Sequence, residues 1–269
     1  MKKYDSKSIN FCETAIFIEA VIKEGCKTIL LNKDIPLDVK EKGEQDIVTA
    51  KDISMENYIV SKILEKFPQH KIIGEESCND DLTNEYTWIL DPIDGTLNFT
   101  VNNPFYGVQI CLLKNKEELL AAVYLPEIDE FYLAIKNKGL LVNGKLVNVS
   151  KKVHTKNSII SFGDFSKSNP QSRKIQLKLI EELHDKVNKI RIQGSSSIDF
   201  SFVASGKTHA HIMFSKRLWE ISPGILLARE AGAIVKIISM ESSNFKGNVV
   251  VTAVNREIYD TITQSLNKF

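Results

Sequence analysis

Residues 88–99 read WILDPIDGTLNF, and no other stretch limits the fold of this chain so strongly. Trp88, Ile89 and Leu90 are an apolar run suited to a buried strand. The run ends on Asp91, and Pro92, which has no N–H for a ladder, is expected to stop the strand there. A second carboxylate follows at Asp94, then Gly95 and Thr96. Two acids set just past a buried strand repel each other and lose hydration, so something positive belongs between them. A lone D-x-x-D-G is most often a surface turn, because Asp-Gly is a common turn pair and Asp also caps helices. The rest of the chain decides between these readings.

At 269 residues the chain can bury a core as one large domain or as two closely packed halves. Lys and Arg number 35 against 34 Asp and Glu, a net charge of +1, so no nucleic-acid partner is expected. No apolar stretch is long enough for a membrane span. The opening MKKYDSKSINF has the lysines of a signal peptide without an apolar segment behind them, so a cytoplasmic protein with no membrane partner is expected. Cys12, Cys26, Cys78 and Cys111 are scattered with no C-x-x-C pair, the pattern of reduced thiols rather than of a zinc site or disulfide framework.

Phe11, Ala15, Ile18, Ile22, Cys26 and Ile29 recur at spacings of three and four, which predicts a first amphipathic helix. KEKGEQDIVTAKD reads as a loop or hairpin, with Asp52 as N-cap of a second helix ended by Phe67-Pro68. A short strand, KIIGEES, precedes the opening motif. Strands at 108–113, 119–124, 131–135 and 139–142 follow as an antiparallel meander. Beyond Ser150 strands and helices alternate: strands at 159–162, 190–193, 209–214, 234–238 and 249–254, and helices at 170–188, 196–205, 222–231 and from Arg256. This is α/β layering. Residues 1–150 form an N-terminal α+β half carrying the acidic motifs, and 151–269 a C-terminal α/β half that completes the site. No flexible linker separates them.

Three further stretches place acids at loop positions: Asp46 before IVTAKD, Glu75 and Glu76 after a short strand, and Glu220 after Trp219. Singly, Asp46 reads as a solvated loop acid and Glu220 as a first-turn residue facing a helix dipole. Together they are a hard-oxygen ligand set of the kind Mg²⁺ takes, with phosphate completing its shell. Gly95 and Thr96 open what reads as a helix, and the free N–H groups of a helix start attract anions. Acids beside an anion site make sense when cations bridge them, as in metal-assisted phosphate-ester hydrolysis.

The chain resembles the inositol monophosphatase family of the Mg²⁺-dependent, lithium-sensitive phosphatase superfamily. DPIDGT with LNF carries the resemblance, supported by GEES at 74–77, DIVTAKD, GSSSIDFSFVASGK at 194–207 and WEISPGILLAREAGA. It implies a layered α-β-α-β-α sandwich, commonly a homodimer, using two to three Mg²⁺ ions. Glu75, Asp91 and the Ile93 carbonyl would hold the first metal. Asp91, Asp94 and Glu220 would hold the second, and Glu75 with Asp94 a third. Asp46 and Thr96 would polarise the attacking water, Gly95 and Thr96 amides would bind phosphate, and Gly194 and Ser195 would face the alcohol.

Three departures bear on the substrate. Glu220 stands where the family usually has Asp, Met213 where an acid usually grips ring hydroxyls, and His209 where Asp is frequent. Specificity lives in leaving-group contacts of this kind. Inositol-1-phosphate is the first expectation. Fructose-1,6-bisphosphate, histidinol phosphate and 3′-phosphoadenosine 5′-phosphate are alternatives, and a non-catalytic metal-binding interaction protein is the alternative of another class.

Overall fold

The computed structural model describes residues 9–43, 46–77, 82–166, 169–215, 217–242 and 245–269; for residues 43, 46, 241, 242, 245 and 246 it describes the backbone alone. Helix α1 (Phe11–Gly25) starts at Asn10, whose side chain accepts from the Cys12 and Glu13 amides. It runs on into a π-helical turn, Cys26–Leu30. A two-stranded hairpin, β1 (Lys40–Gly43) and β2 (Asp46–Val48), leads to α2 (Ala50–Lys66). Its N-cap is Thr49 rather than the expected Asp52. Asp52 stands at the third helical position and accepts from the Thr49 amide at 2.9 Å, while Thr49 Oγ1 accepts from the Asp52 amide at 3.3 Å. This reciprocal pairing satisfies two groups that a helix end leaves open.

Strand β3 (Lys71–Gly74) pairs in parallel with β4 (Tyr86–Asp94), and the rest of that sheet is an antiparallel meander: β5 (Gly107–Lys114), β6 (Glu117–Leu125), β7 (Glu130–Ile135), β8 (Gly139–Val142) and β9 (Lys145–Val147). β4 does not stop at Pro92. Asp91 pairs with Gln109 and the next partners are Asp94 and Gly107, so residues 92 and 93 bulge out of the ladder. The bulge takes up the proline's missing donor and re-aims the residues on either side.

The second sheet is mixed, in the order β11 (Lys189–Ile192), β10 (Ile159–Phe162), β12 (Ala210–Met213), β14 (Phe245–Ala253), β13 (Ile234–Ser242). Helix α4 (Pro170–His184) ends four residues before the expected boundary, because Asn188 already bonds the Ser158 carbonyl as the chain enters β11. It lies with α7 (Arg256–Leu266) on the outer face of this sheet. Between the sheets lie α5 (Ser196–Ala204) and α6 (Leu218–Glu230).

The layering follows from alternation along the strands. Trp88 and Leu90 of β4 pack with Ile18, Ile22, Met55 and Ile59 of α1 and α2. Ile89, between them, faces the other way, into a core shared with Ile198 of α5, Leu226 of α6, and Ile160 and Val251 of the second sheet. The result is an α-β-α-β-α sandwich with one core bridging both sheets.

Helices α5 and α6 touch through Gly224, where a Cβ would lie 2.2 Å from Cγ of the buried Phe200. At the end of α6, the Glu230 carboxylate accepts the backbone amides of Asn137, Lys138 and Gly139, tying the helix to the β7–β8 turn. We expect Gly224→Ala to destabilise the fold by about 2 kcal/mol, since neither helix can back away between two sheets. A thermal melt followed by circular dichroism would show this as a melting temperature lower by about 5 °C; an unchanged midpoint would mean the helices separate freely.

Candidate active site

The bulge in β4 delivers its two acids to different partners. Asp91 is buried, and its Oδ2 accepts from Gln109 Nε2 at 3.3 Å. Its Oδ1 is buried with no hydrogen-bond partner among the described residues. Burial, followed by the charges of Glu75, Asp94 and Glu220, pushes its carboxyl well above the usual carboxylate range. Asp94 faces the start of α5. Its Oδ1 accepts the Ser196 amide at 3.2 Å and hydroxyl at 2.9 Å; its Oδ2 accepts the Ser197 amide at 2.6 Å and the Ser195 hydroxyl at 2.5 Å. A carboxylate there meets the orphan amides and positive end of a helix.

Gly95 then turns the chain at φ +90°, a conformation that suits glycine, and a Cβ there would press on the Phe105 carbonyl and on Ser195 at 3.0 Å. The short helix α3 (Thr96–Thr100) follows. The Thr96 hydroxyl lies 2.9 Å from the Ile93 carbonyl and 3.1 Å from Asp52 Oδ1. It has one proton for two acceptors, so it donates to one of them at a time. Asp52 is 1% exposed; burial raises its pKa, and hydrogen bonds from Thr49 and Thr96 oppose the rise.

Glu75 and Glu76 follow the end of β3. The Glu75 amide bonds the Leu90 carbonyl at 3.1 Å, and its side chain lies 3.9 Å from Lys42 Nζ. Glu76 pairs with the same ammonium, and its amide donates to Glu56. Glu220 lies in the first turn of α6, which begins at Leu218, earlier than the expected Ser222. It accepts from the Ser215 hydroxyl and from Arg217 Nη1, the latter at 3.4 Å.

One cleft of about 190 Å³ is lined by Glu75, Asp91, Ile93, Asp94, Gly95, Thr96, Gly194, Ser195 and Glu220, every predicted site residue except Asp46. The Asp46 side chain lies outside the described residues; its neighbour Ile47 lines the cleft. Among the described residues no group of three or more His, Cys, Asp or Glu side chains is gathered closely enough to hold a metal ion as it stands. Glu75, Asp94 and Glu220 each face a cationic or hydrogen-donating neighbour, whereas one oxygen of Asp91 faces none. That buried Oδ1 and the hard-oxygen donors around it fit a divalent cation, because a buried carboxylate oxygen needs a partner.

The sequence pattern does not mark several residues of the site for the roles they take. Asp52 supports Thr96, and the T-x-x-D spacing of Thr49 and Asp52 is the signal that could have found it. Gln109 bridges Asp91 and Ser196. Asn98 donates to the Phe105 and Gln193 carbonyls at 2.7 and 2.8 Å, fastening the D-G-T turn to the loop before α5. Asn98 falls within the LNF of the opening motif, but nothing in the one-dimensional pattern gives Gln109 away, because its partners lie on other elements.

Residues 10–268 match the Inositol monophosphatase family. A protein of Aquifex aeolicus named "Fructose-1,6-bisphosphatase/inositol-1-monophosphatase" is 31% identical over 86% of this chain and 86% of its own. An inositol monophosphatase of Dictyostelium discoideum is 34% identical over 80% of this chain and 81% of its own. Among solved structures, an inositol monophosphatase from Anabaena (Nostoc) superposes with a TM-score of 0.80 at 25% identity, covering 97% of both chains. With its acids, glycine turn and helix start gathered in one cleft, and with likeness along nearly its whole length, this chain belongs to the inositol monophosphatase family.

Proposed function

We propose that the chain is a Mg²⁺-dependent phosphomonoesterase with inositol-1-phosphate as its first substrate, a cytoplasmic homodimer sensitive to lithium. Family membership supports a metal-dependent phosphatase. The observation that carries the metal is Asp91: a buried carboxylate with one unpartnered oxygen, lining a cleft together with Glu75, Asp94 and Glu220. Glu75, Asp91 and the Ile93 carbonyl would hold a first ion; Asp91, Asp94 and Glu220 a second; Glu75 and Asp94 a third. Bound Mg²⁺ supplies positive charge that lowers the pKa of water and offsets charge on the departing oxygen.

The protein's own part is orientation and proton transfer. Thr96 positions the attacking water through its hydroxyl, and Asp52, held by Thr49, fixes that hydroxyl and draws off the proton. The resemblance gives this role to Asp46, whose side chain lies outside the described residues; among the described residues Asp52 is an acid in contact with Thr96 and can share it. Gly95 and Thr96 amides face the phosphate, and Gly194 and Ser195 the alcohol. No phosphoenzyme is needed. A second reading, fructose-1,6-bisphosphate, draws on the name of the Aquifex relative and on the Arg217 guanidinium at the edge of the cleft.

The test is inorganic phosphate release from inositol-1-phosphate, fructose-1,6-bisphosphate, histidinol phosphate and 3′-phosphoadenosine 5′-phosphate, each with Mg²⁺, with EDTA, and with Mg²⁺ plus lithium. Turnover that needs Mg²⁺ supports the reading; turnover undiminished in EDTA rejects it. Asp91→Asn should reduce turnover at least about a hundredfold while the fold is retained. In EDTA the same variant should also melt higher than wild type at pH 8. A carboxyl whose folded pKa is raised contributes stability below its unfolded pKa and loses it as pH climbs, and Asn removes that loss. A lower midpoint for the variant at pH 8 would contradict the buried, cation-seeking carboxylate.

Asp52→Asn and Thr96→Ala should each lower kcat about a hundredfold with KM little changed, and together no more than either alone, since they act as one unit. Multiplying effects in the double variant would separate their roles. Glu220→Asp should retain turnover and shift the Mg²⁺ concentration for half-maximal rate; an unchanged Mg²⁺ titration would remove Glu220 from the ligand set.

A further inference from the structure

Strand β5 runs opposite both acids of the opening motif: Gly107 stands across from Asp94, and Gln109 across from Asp91. Its side chains alternate. Val108, Ile110 and Leu112 pack with α1 and α2, whereas Cys111 and Leu113 face the core between the sheets. Gln109 shares the second face and is wholly buried, a polar side chain where its neighbours are apolar. The strand also comes close to the start of α5, for a Cβ on Gly107 would lie 2.6 Å from Ser197 Oγ.

That closeness lets one amide reach two elements. Gln109 Nε2 donates to Asp91 Oδ2 at 3.3 Å and to Ser196 Oγ at 3.1 Å. The Ser196 hydroxyl gives its own proton to Asp94 Oδ1 at 2.9 Å. Chemistry sets these directions: a carboxylate only accepts, Ser196 has a single proton, and the two protons of the amide nitrogen serve both of its acceptors. The result is a continuous chain, Asp91–Gln109–Ser196–Asp94, joining two carboxylates that the bulge at residues 92 and 93 sends apart.

Packing does not explain the amide. Its Oε1 is buried with no hydrogen-bond partner among the described residues, and an orphaned buried carbonyl is unfavourable. An apolar side chain like those of Cys111 and Leu113 would avoid that penalty. The two donated protons do explain it. They tether Oδ2 of Asp91 and leave Oδ1 of this cleft-lining acid as the free ligand atom. A carboxylate whose second oxygen is hydrogen-bonded is oriented before a cation arrives, so less order has to be imposed on binding.

We propose that Gln109 is a positioning residue of the cation site: by tying Asp91 to Ser196, and through it to Asp94, it presets both carboxylates and sets the affinity for Mg²⁺. The inference rests on the metal-dependent reading above and extends it to a residue outside the ligand set.

The test uses the purified full chain, stripped with EDTA and titrated with Mg²⁺ in the absence of substrate. The readout is the rise in melting temperature, with turnover of the substrate it cleaves fastest followed in parallel. Gln109→Met keeps length and bulk and removes both donors. Its Mg²⁺ concentration for half of the melting rise should be at least about tenfold higher than in wild type. Turnover should fall at low Mg²⁺ and largely recover in excess Mg²⁺, a rescue that a damaged fold would not show. Ser196→Ala breaks the same chain one link further on and should weaken Mg²⁺ by a similar factor, and the double variant by no more than the larger single effect. An unchanged or lower Mg²⁺ midpoint in Gln109→Met, or a turnover loss that excess Mg²⁺ leaves in place, overturns the inference while a Mg²⁺-dependent wild type keeps the phosphatase reading standing. Where Gln109→Met does not fold, an unchanged midpoint in Ser196→Ala overturns it instead. A wild type whose melting ignores Mg²⁺ and whose turnover is undiminished in EDTA overturns both.

Discussion

The carboxylate of Asp94 at the start of α5 is the contact on which the site depends. Ser195, Ser196 and Ser197 all donate to it, so a strand end of one sheet is fixed to a helix packed against the other. Hydrogen bonds to a charged group are worth more than neutral ones, and their loss would leave both the acid and the helix amides unsatisfied. The bulge at residues 92 and 93 makes this contact geometrically available, because it lets Asp91 and Asp94 leave the same strand toward different partners. Gly95 and Asn98 then lock the turn against the loop before α5.

From that anchor the division of labour among the acids follows. Asp94 is satisfied by the helix start, Glu75 lies near Lys42, and Glu220 is held by Ser215 and Arg217. Of these four cleft acids, Asp91 is the one that keeps an unpartnered oxygen in a buried position, and its raised pKa expresses the cost of carrying charge there. A cation in the cleft would remove that cost, which is why the metal argument rests on Asp91 more than on the number of acids.

The motif around DPIDGT is legible in the sequence because it compresses a strand, a turn and four polar groups into a few residues. GEES and GSSSIDF are legible for a related reason, each being a strand or loop end followed at once by its functional groups. The shift of the α2 cap from Asp52 to Thr49 has more consequence than its size suggests. In the linear pattern Asp52 reads as a local cap, whereas its second oxygen faces Thr96 on a distant part of the chain. Hydrogen-bonding capacity left over after a local role is invisible along the sequence. Likewise Pro92 reads as a strand end, because a proline is a missing donor until the partner strand shows a bulge that needs none.

By itself the sequence determined the period of each element, the alternation that makes β4 two-faced, and the identity of an acid-rich, glycine-turned motif. These are local properties, set by side-chain spacing and backbone preference within one element. Only the tertiary structure decided that Thr96 belongs to Asp52, that Asp94 caps α5, and that Gln109 joins Asp91 to Ser196. Those pairings depend on how two twisted sheets clamp α5 and α6 between them. The distance across that clamp is fixed by packing, at Gly224 against Phe200 for one, and not by separation along the chain.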